Sequence, residues 1–254
     1  MRPETYDMVS EREARYWWHR ARREMATGLL RRYGLAQGCR AVDLGCGTGG
    51  NLAIFTPFAP RSVVGLDISP IALRHARRKD RSAPLVRADL RRPLPFADAS
   101  VDVVTIFNVL YHRWVEDEIA VLSEVRRILR PGGLLMATEP AFRAFERQMD
   151  TAAMTRRRFR IPEFAAMCAS AQLRVSFASY FTSFGAPIVL LMKAVQGGST
   201  RAAAAHVQAD LKPLNPALNE LLHTLASAEA LAIVRGWRLP FGLTLACVAR
   251  KPGH

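Results

Sequence analysis

The chain has 254 residues, half of them hydrophobic, with 36 Lys and Arg against 22 Asp and Glu, a formal charge of +14 and a sequence pI near 10.7. This is enough apolar material for one sizeable core; four scattered cysteines (Cys39, Cys46, Cys168, Cys247), with no CxxC or Cys/His cluster, argue against a disulfide framework or a metal site and for a reducing, cytoplasmic setting. The high pI raises the question of nucleic acid, but the arginines are dispersed and no RNA-binding motif or aromatic-interleaved basic patch accompanies them, so nucleic acid is not the expected partner.

Residues 4–33 carry helical periodicity with almost no Gly or Pro and read as one or two N-terminal helices. Within them lies Tyr16-Trp17-Trp18-His19. Adjacent tryptophans on a helix face different directions, so both are not core. The reading is a helical lid (residues 1–36) with Tyr16, Trp17 or His19 lining a pocket; the plainer alternative is an amphipathic helix packed on a sheet.

From Arg40 the pattern alternates. Strands are expected at 41–44, 62–67, 84–88, 101–107 and 133–138, with helices at 49–57, 70–79 and 116–129. Pro70 suits a first helical turn, and Pro131-Gly132-Gly133 is expected to stop a helix and turn the chain. Such alternation means a mostly parallel sheet covered on both faces. Later, Ile161 to Ala171 looks helical, Leu173 to Tyr180 and Phe241 to Ala249 look like strands, and about 60 residues intervene, too many for a bare loop. They are expected to hold a helix at 185–196 and another at Pro216 to Arg235 whose apolar face is Leu218, Leu221, Leu222, Leu225 and Leu231. The longest apolar run, Ala186 to Met192, is too short to span a bilayer.

The most informative stretch is Val42-Asp43-Leu44-Gly45-Cys46-Gly47-Thr48-Gly49-Gly50, an apolar strand running into a glycine-rich turn. Glycines let a ligand lie against the main chain. The run satisfies the dinucleotide fingerprint G-x-G-x-x-G, and Asp67 after the next strand suits either cofactor type, since both use a carboxylate for ribose hydroxyls. Asp43, however, makes it D-x-G-x-G-x-G, and a carboxylate there suits a cationic amino acid better than a pyrophosphate. With Asp89-Leu90, Ser100 to Val104 and Glu124 to Leu135 in order and at these spacings, residues 40–140 resemble the class I S-adenosylmethionine-dependent methyltransferases, most closely the small-molecule branch called methyltransferase type 11.

The resemblance implies a Rossmann-like seven-stranded, mostly parallel α/β sheet with helices on both faces and the last strand inserted antiparallel. The chain reads as a single domain over 1–254, with lid 1–36 and cofactor core 37–140; the stretch 183–238 before the last strand departs from the minimal family pattern, and its apolar faces point to a helical cap insertion beside the acceptor pocket, available as a homodimer contact. The resemblance implies S-adenosylmethionine as cofactor, with S-adenosylhomocysteine as its product, and a small-molecule acceptor, of natural-product or sugar-related type. Gly45, Cys46, Gly47 and Gly49 would approach the methionine portion and Asp43 its ammonium; Asp67 would take the ribose hydroxyls and Ile68 an adenine face. Ala88, Asp89 and Leu90 would meet the adenine edge. Asn108 would lie beside the methionine end, with Phe107 and Val109 as walls and Tyr111 toward the acceptor. Three residues compete for general base: His112, Glu139 and His19. The alternatives are an RNA methyltransferase, or a cofactor-binding homologue without transfer activity.

Overall fold

The computed structural model describes residues 3–80, 82–146, 154–196 and 214–253. Seven strands form one sheet: β1 (Arg40–Leu44), β2 (Ser62–Asp67), β3 (Leu85–Arg87), β4 (Val101–Phe107), β5 (Leu129–Pro140), β6 (Arg174–Phe181) and β7 (Thr244–Arg250). Their order is β3-β2-β1-β4-β5-β7-β6. β1 through β5 pair in parallel, and β7 runs antiparallel to both β5 and β6. The order reverses between β1 and β4, which opens a crevice at their carboxyl ends, where doubly wound sheets bind ligands.

The helices are α1 (Pro3–Arg12), α2 (Trp17–Arg32), α3 (Pro70–Lys79), α4 (Glu118–Ile128), α5 (Ile161–Ser170), α6 (Gly185–Gln196) and α7 (Pro216–Val234). The pleat sorts alternate strand residues to opposite faces. Ala41, Val103, Met136 and Val248 pack with Met25 and Leu29 of α2 and Ala230 and Ile233 of α7. Val42, Leu44, Val104 and Ile106 pack with Val121 and Val125 of α4 and Phe164 of α5 on the other side.

Three expectations change. The helix expected at 49–57 is a 3-10 helix, Leu52–Phe58, because Gly49 sits at φ 85°, outside helical space, and Pro57 lies inside the segment. Pro131-Gly132-Gly133 does not precede a strand but lies within β5, where the β4 register shifts between Val101 and Val103. The leucine face of α7 points outward: Leu218, Leu221, Leu225 and Leu231 are exposed, while Ala226, Ala230 and Ile233 are buried. The reason is close approach to α2, which runs parallel to it. A Cβ on Gly28 would lie 2.5 Å from Val234 Cγ2, so small residues must face that seam. The seam is closed at one end by the Trp17 N–H donating to Asn219 Oδ1 (3.0 Å) and at the other by Arg32 donating to the Val234 carbonyl (2.8 Å). Of the expected cap, residues 197–213 lie outside the described residues. Among the described residues no helix is long and apolar enough to cross a membrane.

Candidate active site

The crevice begins with the turn after β1. Gly45 and Gly47 adopt φ 70° and 54°, a left-handed geometry that glycine enters without penalty. Gly45 also has a neighbour that forbids any side chain: a Cβ would lie 2.3 Å from Val109 Cγ2. Asp67, at the end of β2, ties this turn down. Its Oδ2 accepts from the Gly47 N–H (2.9 Å) and its Oδ1 from the Ser69 N–H (2.8 Å), leaving further lone pairs on both oxygens. Burial holds its carboxyl above the ordinary range. Ser69 caps α3 through the Ala72 N–H, so the expected capping turn coexists with a carboxylate that also ties down the glycine turn. Ile68 is exposed beside it.

Asp43 shares the α2-facing side of the sheet with Ala41, one strand from Thr105 in register. Thr105 Oγ1 donates to Asp43 Oδ1 at 2.6 Å. The carboxyl is fully buried, and burial pushes it up to about 7 against the Thr105 hydrogen bond and the nearby Arg22 charge. Its second oxygen, Oδ2, has no partner. Arg22 descends from α2 onto the same region. Its Nη2 donates to Asn51 Oδ1 at 2.9 Å, its guanidinium lies between the rings of Trp18 (4.4 Å) and Phe107 (5.2 Å), and its Nε is buried without a partner. Desolvation lowers it to about 10, so it stays a cation at neutral pH. Asn108, after β4, sits at φ 56°, a region Asn tolerates better than most residues; its buried Oδ1 is also unpartnered. An unpaired buried polar atom costs about 1–3 kcal/mol. Two acceptors and one cationic donor left unpaired around the crevice match a ligand with an ammonium and a carboxylate.

The three candidate bases fare differently. Glu139 is fully buried, and its carboxylate accepts from the N–H groups of Val109 (3.1 Å), Leu110 (2.9 Å) and Tyr111 (3.1 Å). Burial pushes it up to about 8 against those bonds. Both of its oxygens are thus held by backbone N–H groups. His112 is brought near Tyr111 and stacks on Trp114, but its Nδ1 accepts from the Trp114 N–H (3.3 Å) and burial pushes its pKa down to about 4, far from the near-neutral value expected. His19 is held well below its ordinary value by desolvation and by Arg22, Arg23 and Lys79.

Cys46 is buried, its thiol pushed upward by burial, so it contributes only backbone. Asp89 sits past β3 as expected, but Arg91 already grips it, Nε at 3.1 Å and Nη2 at 2.7 Å. Ala88, through its N–H, bonds to the Asp67 carbonyl, and Leu90 packs at the core margin. Trp17 packs on Phe184, just before α6, at 5.8 Å and Tyr16 on Trp17 at 5.9 Å; Trp18 covers Arg22. Sequence reasoning missed Arg22 and Glu13. Arg22 left a signal, a charge inside the buried stripe of Met25, Ala26 and Leu29. Glu13 left none: it sits between helices, buried, accepting from Thr48 Oγ1 (2.7 Å) and Lys79 Nζ. Among the described residues no acidic, His and Cys cluster could hold a metal ion.

Residues 42–137 match the methyltransferase domain family. The chain is 37% identical over 120 residues to trans-aconitate 2-methyltransferase of Azoarcus sp. strain BH72, covering 47% of this chain and 46% of that one. It spans between 30% and 53% of the length of the curated relatives it matches. The geranyl diphosphate C-methyltransferase of Streptomyces coelicolor, solved with S-adenosylhomocysteine, superposes with a TM-score of 0.60 at 16% identity, covering 92% of this chain and 81% of that one. The (4+2) cyclase SpnF superposes with a TM-score of 0.62 at 18% identity over 99% of this chain and 95% of its own. At these identities the structures speak for the fold alone.

Proposed function

We propose that the chain, whose residues 42–137 match the methyltransferase domain family and which is similar to S-adenosylmethionine-dependent methyltransferases, transfers a methyl group from that cofactor to a small-molecule acceptor. The observation that carries this is the set of three unpartnered buried atoms, Asp43 Oδ2, Asn108 Oδ1 and Arg22 Nε. The amino-acid end of the cofactor satisfies all three: its ammonium meets the two oxygens and its carboxylate meets Arg22. Asp67 offers two oxygens for the ribose hydroxyls, and Ile68 an exposed apolar surface for the base.

The cofactor supplies a methyl group activated on a sulfonium. The chain contributes binding, orientation and exclusion of water, and holding reactants in line is worth up to about 7–11 kcal/mol in ideal cases. Trp18 covers Arg22, and in this reading Tyr16, Trp17 and Phe184, in ring contact with one another, extend that cover over the crevice. None of the three candidate bases keeps both access and a near-neutral pKa, so the acceptor is read as a small molecule whose nucleophilic atom is unprotonated at neutral pH, such as a carboxylate. The name of the Azoarcus relative, a methyltransferase for trans-aconitate, agrees with that class. Natural-product or sugar-related acceptors remain within the proposal where they carry such an atom. Cofactor binding without transfer is the second reading, favoured by the same lack of an available base.

Calorimetry tests the first step. S-adenosylhomocysteine should bind and NAD should not, and Asp67→Ala should weaken binding more than tenfold, because two charge-assisted hydrogen bonds are worth roughly 1.5–3 kcal/mol each. Equal affinity for NAD would remove the reading. A screen of carboxylic acids with methyl-labelled cofactor then separates transfer from binding alone.

A further inference from the structure

We propose that Glu139 is a positioning residue that sets the cofactor turn and the acceptor loop as one unit, acting through Val109; this rests on the cofactor reading above. Its carboxylate gathers three successive backbone N–H groups, Val109 and Leu110 on Oε1 and Tyr111 on Oε2, at 2.9 to 3.1 Å. Consecutive N–H groups converging on one acceptor group form a nest. The anchor itself cannot shift: β5 is clamped between β4 and β7, with Glu139 opposite Leu245. The loop must therefore conform to the carboxylate.

What the loop carries explains the consequence. It opens with Asn108 in the left-handed region at φ 56°, its own N–H tied to the Thr138 carbonyl at 2.7 Å. The next side chain, Val109, packs against Gly45 so closely that a Cβ there would lie 2.3 Å away. The last residues are Tyr111, packed into the core beside Leu110 and Val115, and His112, stacked on Trp114. One buried group thus fixes Asn108, the first glycine of the cofactor turn and the start of the loop after β4. Moving the loop by a fraction of an ångström would shift the cofactor's methionine end and the acceptor in concert.

Two variants and two readouts test this. Glu139→Gln keeps Oε1 for Val109 and Leu110 but turns a donor toward the Tyr111 N–H. The Tyr111 amide proton should move upfield in a 1H–15N spectrum, and the Kd for S-adenosylhomocysteine should rise roughly tenfold, about 1.4 kcal/mol. Val109→Ala leaves the anchor intact and removes the contact with Gly45; its Kd should also rise, and the double variant should cost no more than Glu139→Gln alone, as expected for residues on one path. Should Glu139→Gln not fold, Val109→Ala decides. A Glu139→Gln protein that melts earlier yet binds within twofold of wild type below its transition overturns the proposal, as does an unchanged Kd in Val109→Ala. Failure of the wild type to bind S-adenosylhomocysteine overturns the cofactor reading instead.

Discussion

A carboxyl that is fully buried and half unpartnered, as Asp43 is, ties ligand binding to pH. Its pKa in the free protein is raised to about 7 from an ordinary 3.8, and an ammonium ligand requires it ionised. Below pH 7 binding must therefore expel a proton, and the Kd for S-adenosylhomocysteine should rise up to tenfold per unit of falling pH, levelling off above 7. Calorimetry at pH 6 in two buffers of different ionisation enthalpy reads that proton directly; buffer-independent heats would contradict it. For the free protein the sign is opposite. Between about 4 and 7 the folded state holds a proton that the unfolded chain has lost, so stability falls as pH rises through that window. The places of Asp43 and Asp67 in β1 and at the end of β2 were legible because their spacing from the glycines is itself the motif. Arg22 was legible only in hindsight, as a charge on a buried helix stripe. Glu139 stands out in the sequence at the end of β5, but nothing in Glu139-Pro140 announces that three N–H groups of another strand's loop reach it.

The element on which most depends is α2. One side of it delivers Arg22, Trp18 and His19 to the crevice, and the other side meets α7 at Gly28. Gly28→Val should force the two helices apart, since even a Cβ meets Val234 at 2.5 Å; overpacking of this kind costs about 1–3 kcal/mol, read as an earlier urea midpoint. A midpoint equal to wild type would mean that the seam yields freely. The strand sequence of the core was readable from alternation, and so was the existence of α6 and α7. Which side of α7 faces inward was not. Leucines at helical spacing are an ordinary core signal, but interhelical distance, set by one glycine 200 residues earlier in the chain, selects the alanine side. The 3-10 helix after the glycine turn was misread for a related reason: composition favours a helix, while Gly49 and Pro57 prevent an α-helical one.

At the scale of the whole molecule, α1 is fastened across the cofactor face. Tyr6 bonds to Ser69, beside Asp67, Asp7 meets His75 at 3.3 Å, and Glu13 sits against Gly50 with Thr48 and Lys79 as partners. Glu13→Ala should release this fastening and speed S-adenosylhomocysteine dissociation severalfold in stopped-flow measurements; an unchanged off-rate would show that α1 does not cover the path. The join between α2 and α7 has a different consequence, one of timing. Trp17 and its partner Asn219 are 202 residues apart. At about 5–20 residues synthesised per second, α2 leaves the ribosome roughly 10–40 s before the helix that shelters it. Throughout that interval the side of α2 that meets α7 at Gly28 has no permanent cover, and a nascent chain in this condition is a natural client for a holding chaperone.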